Sequence, residues 1–119
     1  MVAYVMNDYS VITYAFVENH MKECLEKNML NDDFHINENG NRLYSYVRLE
    51  DIDKINKEAD VHRIKIIAAD GPADYLRRIL NAMDEETFNM FIKYHLSTCE
   101  RMDMMGASSH TVDILRKKE

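Results

Sequence analysis

The order of segments along the chain predicts an α/β domain: a small sheet of about three strands flanked by helices. Two observations carry this. Residues 1–6, 61–69 and 110–115 are short apolar runs rich in Val, Ile, Ala and Tyr, with the length and composition of strands. Between them, apolar residues recur at steps of three and four, as on one face of a helix. With 119 residues, 3 Gly and 1 Pro, there is room for one domain and little sign of disorder.

Residues 1–6 read as a buried strand, and Asn7-Asp8 is a polar stop that also suits a turn. From 10 to 27 the pattern is helical. Tyr14, Val17, Met21, Cys24 and Leu25 share a face, and Asn28 suits the helix end. Glu18 with Lys22 and Glu23 with Lys27 stand in the favourable i,i+4 order. Residues 31–41 are polar around Phe34 and Ile36, a loop with short strands expected on either side of Asn39-Gly40. Residues 42–47 alternate weakly and read as extended. A short helix over 50–58 buries Ile52 and Ile55, with acids in its first turn, where the helix dipole favours them.

The clearest strand is 61–69. Ile64, Ile66 and Ala68 share one face; Val61, Ile67 and Ala69 share the other with Arg63 and Lys65. Asp70-Gly71-Pro72 ends it, and Pro72 fits the first position of a helix striped by Leu76, Ile79, Leu80 and Met83. Asp84 caps the next helix, which carries Glu85 and Glu86 in its first turn. Phe88, Phe91, Ile92, His95 and Cys99 line one side of it. Residues 102–109 turn a corner around Gly106 before the closing strand at 110–115 and a solvated basic tail.

A net charge of −6 with scattered Lys and Arg argues against nucleic acid or a membrane surface as partner. No apolar run approaches the ~20 residues that span a bilayer, and MVAYVMND lacks the layout of a signal peptide. Cys24 and Cys99, far apart in helical contexts, read as reduced thiols of a cytoplasmic protein.

His20 with Cys24, and His95 with Cys99, each place an imidazole and a thiol on one helical face, and two such pairs together can build a tetrahedral zinc site. Core-facing stripes explain the same four residues more simply, and no metal is expected. Cys99-Glu100-Arg101 resembles an activated thiol only in one dimension, since adjacent helical residues diverge; Glu100 or Arg101 is expected to tie down the polar corner. His110 shows no partner that would make it a catalytic base. The acids at 50–53 lack the ligand spacing of a calcium loop and read as a solvated helix start.

Four phrases then point to a family. NMLNDDF at 28–34, RLEDID at 48–53, AADGPADYLRRILNAMDEETFNMFIKYH at 68–95 and TCERMDMMGASSHTVDILRK at 98–117 together cover most of the chain. They resemble the C-terminal half of bacterial class I S-adenosylmethionine-dependent methyltransferases, which have a Rossmann-like fold. The resemblance implies a mixed sheet: residues 2–6 as the fifth strand of seven, 61–69 as the sixth, and 110–115 as the seventh, antiparallel between them. It implies S-adenosylmethionine as cofactor, but the glycine-rich turn of that family has no counterpart here. The three glycines, Gly40, Gly71 and Gly106, are widely spaced, so this chain alone is not expected to bind the cofactor.

Ligands of such folds sit beyond the carboxyl ends of the parallel strands. That places Asn7, Asp8, Tyr9 and Tyr14 as candidates to border the methyl acceptor; a plain strand-to-helix turn with an Asn/Asp cap is the simpler explanation of them. Without a fourth strand beside it, Val2–Met6 would be an open apolar margin, which implies a homodimer or the missing N-terminal half as partner. Two readings follow: an incomplete methyltransferase, inactive alone, or a non-catalytic dimerising or partner-binding α/β module.

Overall fold

The computed structural model describes residues 1–40 and 45–118. They form a four-stranded mixed sheet flanked by helices. Strands β1 (Val2–Met6), β2 (Tyr46–Val47), β3 (Val61–Ala68) and β4 (His110–Lys117) stand in the order β2-β1-β4-β3. β4 is antiparallel to both its neighbours, so β1 and β3 run parallel to each other; β2 joins β1 in parallel. The fourth strand corrects the expected three. It also narrows the open margin expected at Val2–Met6, because Val5 and Met6 pair with Tyr46 and Val47. Two residues are too few to show a period, which is why the sequence pattern passed over β2 as a strand of its own. The rest of the extended stretch expected there, 42–44, lies outside the described residues.

Met6, Val47, Ile66 and Ala68 from the sheet, with Ile52 and Met105, form the main core. Ile52 belongs to α3 (Leu49–Ala59), whose start is capped by Asp51 accepting from the Arg48 backbone N–H at 2.8 Å. Ile55, expected beside Ile52 in the core, is instead exposed. β3 carries a bulge: Arg63 pairs with Leu115 but Lys65 with Ile114, leaving Ile64 unpaired. The extra residue reverses the expected faces, turning Ile64 out and Arg63 in. Arg63 then grips the fully buried Asp113 through two bonds of 2.8 and 3.0 Å, and Asn56 of α3 donates a third at 2.8 Å. A buried carboxylate that accepts three hydrogen bonds from two side chains avoids the cost of an unpaired charge.

The single helix expected over 10–27 is three pieces. α1 (Asn7–Val11) begins directly at the polar pair read as a stop; a π-helical stretch (Ile12–Val17) follows, then α2 (Met21–Glu26) after a break. Ser10 Oγ donates to Met6 O at 2.9 Å and Thr13 Oγ1 to Tyr9 O at 2.8 Å. Such back-bonding hydroxyls loosen the helical ladder. The wide turn closes with Glu18 N–H on Thr13 O at 2.8 Å, and Asn19 takes a left-handed φ of 61° that ends it. The break leaves Glu18 outside α2, and no Glu18–Lys22 ion pair forms among the described residues, whereas Glu23 meets Lys27 at 2.7 Å. Asn28 stops α2 with a left-handed φ of 50°. Val11, Ala15 and Cys24 make a second, smaller core that Met29, Leu30 and Ile36 join. Leu30 and Ile36 form an isolated antiparallel bridge, while Asn39-Gly40 sits in a turn closed by Gly40 N–H on Asn37 O at 2.9 Å. The strand expected on the far side of that turn falls partly outside the described residues.

After β3, residues 70–76 form successive turns, so α4 (Arg77–Ala82) starts five residues later than Pro72 suggested. α5 (Glu85–Thr98) follows, capped as expected by Asp84, which accepts from Thr87 N–H at 2.7 Å. Neither helix contains a buried residue. Ile79 (57%), Met90 (59%) and Leu96 (68%) are exposed, and the stripe through Phe88 and Ile92 is only half covered. The fold is accordingly flat, 48 × 43 × 21 Å, with a radius of gyration of 16.1 Å where a compact chain of this length has about 13.5 Å. Its surface of 8425 Å² exceeds by about 1,700 Å² that of a self-contained domain of this mass. No helix among the described residues is long and apolar enough to cross a membrane.

Candidate functional site

Because β1 and β3 are parallel, their carboxyl ends open on the same margin of the sheet, and the start of β4 lies between them. Three segments meet there: α1 after β1, the turns at 70–76 after β3, and Ser108-Ser109 with His110 at the start of β4. Backbone bonds lock them together, with Met6 N–H on Ser109 O at 3.0 Å and Ala69 N–H on His110 O at 3.1 Å. Gly71 N–H donates to Ser108 Oγ at 3.0 Å, and that hydroxyl donates to His110 O at 2.8 Å. Gly71 has a φ of 53°, and a Cβ there would meet the His95 ring at 3.0 Å, so this turn needs glycine.

On this scaffold Tyr9 and Tyr75 meet edge to face, ring centroids 4.8 Å apart. Burial, then the negative charge of Asp74, raises the Tyr9 phenol above its ordinary range; Arg77 and a hydrogen bond with Ser109 oppose this. Burial first, then Tyr9, raises Tyr75 likewise. Both phenols therefore stay protonated and can donate at neutral pH. His110 Nδ1 lies 2.7 Å from Asp70 Oδ2. The sequence offered no partner for His110, because Asp70 is 40 residues away and only the β3–β4 pairing brings them together. The Asp70 carboxylate orients the His110 imidazole at the start of β4. Asp70, Asp74 and His110 also bring three potential ligand atoms within 4.8 Å of one another, enough to hold a hard divalent cation.

The four residues expected to border an acceptor do not come together. Tyr9 alone joins the cluster above. Asn7 is completely buried and works as a clamp: its Nδ2 donates to Phe34 O at 2.9 Å and its Oδ1 accepts from Ile36 N–H at 2.8 Å. That hold keeps Phe34 at a left-handed φ of 66°, costly for an aromatic residue. Asp8 accepts from Arg48 Nε at 2.9 Å. Tyr14 faces away, donating to Glu23 Oε2 at 2.8 Å and stacking on His20 with centroids 4.5 Å apart.

Around Arg48 lies a network that the sequence did not announce. Its Nη2 donates to Asp33 O at 2.7 Å, and His35 sits between two carboxylates, 2.7 Å from Asp33 Oδ2 and 2.7 Å from Asp51 Oδ2. The Asp51 hydrogen bond raises the His35 pKa most; partial burial and the Arg48 charge oppose it, and Asp33 adds to it. Asp51, read as solvated, is thus tied into the structure. Burial pushes its carboxyl up, but the Arg48 backbone N–H and His35 outweigh that and hold it below the usual range.

The zinc grouping weighed for His20, Cys24, His95 and Cys99 does not assemble among the described residues. Cys24 is buried in the small core, and Cys99 closes α5, its carbonyl accepting from Ala68 N–H at 2.7 Å. Arg101 ties the polar corner as expected, holding Asp103 at 2.8 and 3.0 Å, while Glu100 reaches Lys65 at 3.7 Å.

The fold and this margin define an α/β domain with a polar and aromatic cluster at the carboxyl ends of two parallel strands. Comparison with known proteins finds no matching family model, curated protein or solved structure.

Proposed function

We propose that this chain is the closing half of a class I S-adenosylmethionine-dependent methyltransferase, supplying the last strands of a Rossmann-like sheet and one wall of the acceptor site. The observation that carries the reading is the strand order: β4 antiparallel between parallel β1 and β3, with helices following both β1 and β3. The four sequence phrases support it independently. The residues present do not fit the cofactor. Gly71 has the conformation of a ligand cradle, but His95 fills the space beside it, and Gly40 is crowded by Ile36. No step is therefore assigned through S-adenosylmethionine. What the chain contributes is Tyr9 and Tyr75 as aromatic and hydrogen-bonding surface for the acceptor, and His110, oriented by Asp70, as the group to accept its proton.

The excess surface of about 1,700 Å² and the uncovered faces of α4 and α5 support the incompleteness of the unit, since a standard interface takes about 800 Å² from each partner. Until the other half is supplied, a homodimer covers these faces, with sheet extension along Val2, Ala3 and Tyr4 as one contact. Two free thiols suit a cytoplasmic setting. The test is reconstitution: the chain is joined to the segment encoded directly upstream and assayed for transfer of a labelled methyl group. A glycine-rich strand–turn–helix in that segment, with methyl transfer lost in His110→Ala, supports the reading. An upstream region without such a motif overturns it and favours the non-catalytic dimerising module.

A further inference from the structure

A second site lies wholly within this chain, on the far side of α1 from the Tyr9 cluster. A cavity of about 210 Å³ opens in the small core, walled by Ser10, Tyr14, Ala15, Cys24, Leu30 and Ile36 among others. The buried Val11, Ala15 and Cys24 form part of its wall, so an apolar occupant would be sheltered from water there. A dry apolar cavity of roughly 150 Å³ already accepts benzene; this one suits a ring system about one half larger.

The wall chemistry narrows the occupant. Its lining is dominated by apolar side chains, and none of the described residues that line it is charged. Ser10, Tyr14 and Tyr46 bring hydroxyls to the lining; Ser10 commits its proton to Met6 O and Tyr14 commits its proton to Glu23 Oε2. Such hydroxyls retain only lone pairs for a ligand, so they accept and do not donate. The complement is a flat apolar molecule with one N–H or O–H. An independent feature marks the same place: Tyr14 and Ala15 belong to the π-helical stretch, a wide turn that costs backbone stability and recurs where helices build binding sites.

We propose that this cavity binds a small neutral aromatic molecule with a single hydrogen-bond donor, of the indole or phenol class. The inference concerns residues of this chain alone and stands apart from the methyltransferase reading. Cys24 in the wall supplies the readout. In a Cys99→Ser background, the rate at which a thiol reagent labels Cys24 is measured with and without indole, with benzothiophene as the analogue lacking the donor and benzoate as the charged control. Expected is a slowing of severalfold with indole, less with benzothiophene and none with benzoate. Ala15→Leu, which fills the cavity, removes the dependence on indole while leaving the circular dichroism intact. Should that variant not fold, Ile36→Phe fills the opposite wall and serves the same comparison. Labelling indifferent to indole up to its solubility limit overturns the proposal, as does equal protection by indole in a folded, cavity-filled variant.

Discussion

Replacing Asn7 by alanine separates a structural clamp from a ligand-binding residue. Asn7 is completely buried, and its amide spans two backbone groups of the 34–36 segment at 2.9 and 2.8 Å. Each bond contributes about 1 kcal/mol net while both partners remain paired. In Asn7→Ala the part-buried Phe34 carbonyl and Ile36 N–H either stay unpaired, at up to about 1–3 kcal/mol each, or regain water by releasing the segment. Release is the cheaper course, because Phe34 also escapes its left-handed backbone. The expected loss is about 2–4 kcal/mol, a fall in Tm of roughly 10 °C for a domain of this size. Urea unfolding followed by circular dichroism measures it, and hydrogen exchange at the Ile36 amide locates it. A change under about 0.5 kcal/mol with Ile36 still protected would refute the clamp and return Asn7 to the list of acceptor contacts.

Asp113→Ala leaves Arg63 and Asn56 facing the vacated site; because the Arg63 side chain keeps 23% exposure, the expected loss is about 2–4 kcal/mol, below that of a fully enclosed pair, and chemical denaturation reads it. His35 titrates above its ordinary range in the fold, so its contribution is complete below about pH 6.5 and fades as pH rises through the raised value. Stability measured from pH 6 to 9 should therefore fall, and His35→Gln should flatten that fall; equal slopes in the two proteins would remove His35 as its cause. Light scattering on the eluting peak should give twice the monomer mass, and Leu96→Asp with Met90→Asp should shift it to the monomer; a monomeric parent chain would leave the α4–α5 face without its proposed cover.

The long strands were legible because runs rich in β-branched and other apolar residues show in composition whatever they pair with. Asp84 and Asn28 were legible for a local reason, since a capping carboxylate and a left-handed asparagine act within a few residues of themselves. The helix over 10–27 misled because its apolar face continues in register across Asn19, while the hydroxyl back-bonds that open the π-helical turn leave no periodic trace. Arg63 was assigned to the wrong face by a bulge at Ile64, which shifts register by one and is set by the partner strand. Tyr9 was found from its place after β1, but Tyr75, Asp70 and His110 come from segments joined only by tertiary pairing. The His35 network likewise draws on Asp33, Arg48 and Asp51. The stripe on α5 is only partly covered: Phe91, His95 and Cys99 are half-buried, with His95 against Gly71, while Phe88 and Ile92 stay exposed.

We have proposed that the chain is one half of a cofactor-binding unit. Calorimetric titration of the isolated 119-residue chain with S-adenosylmethionine tests this most directly. No heat of binding is predicted for the chain alone, with saturable binding once the glycine-rich half is joined to it. Tight one-to-one binding by the lone chain would contradict the account.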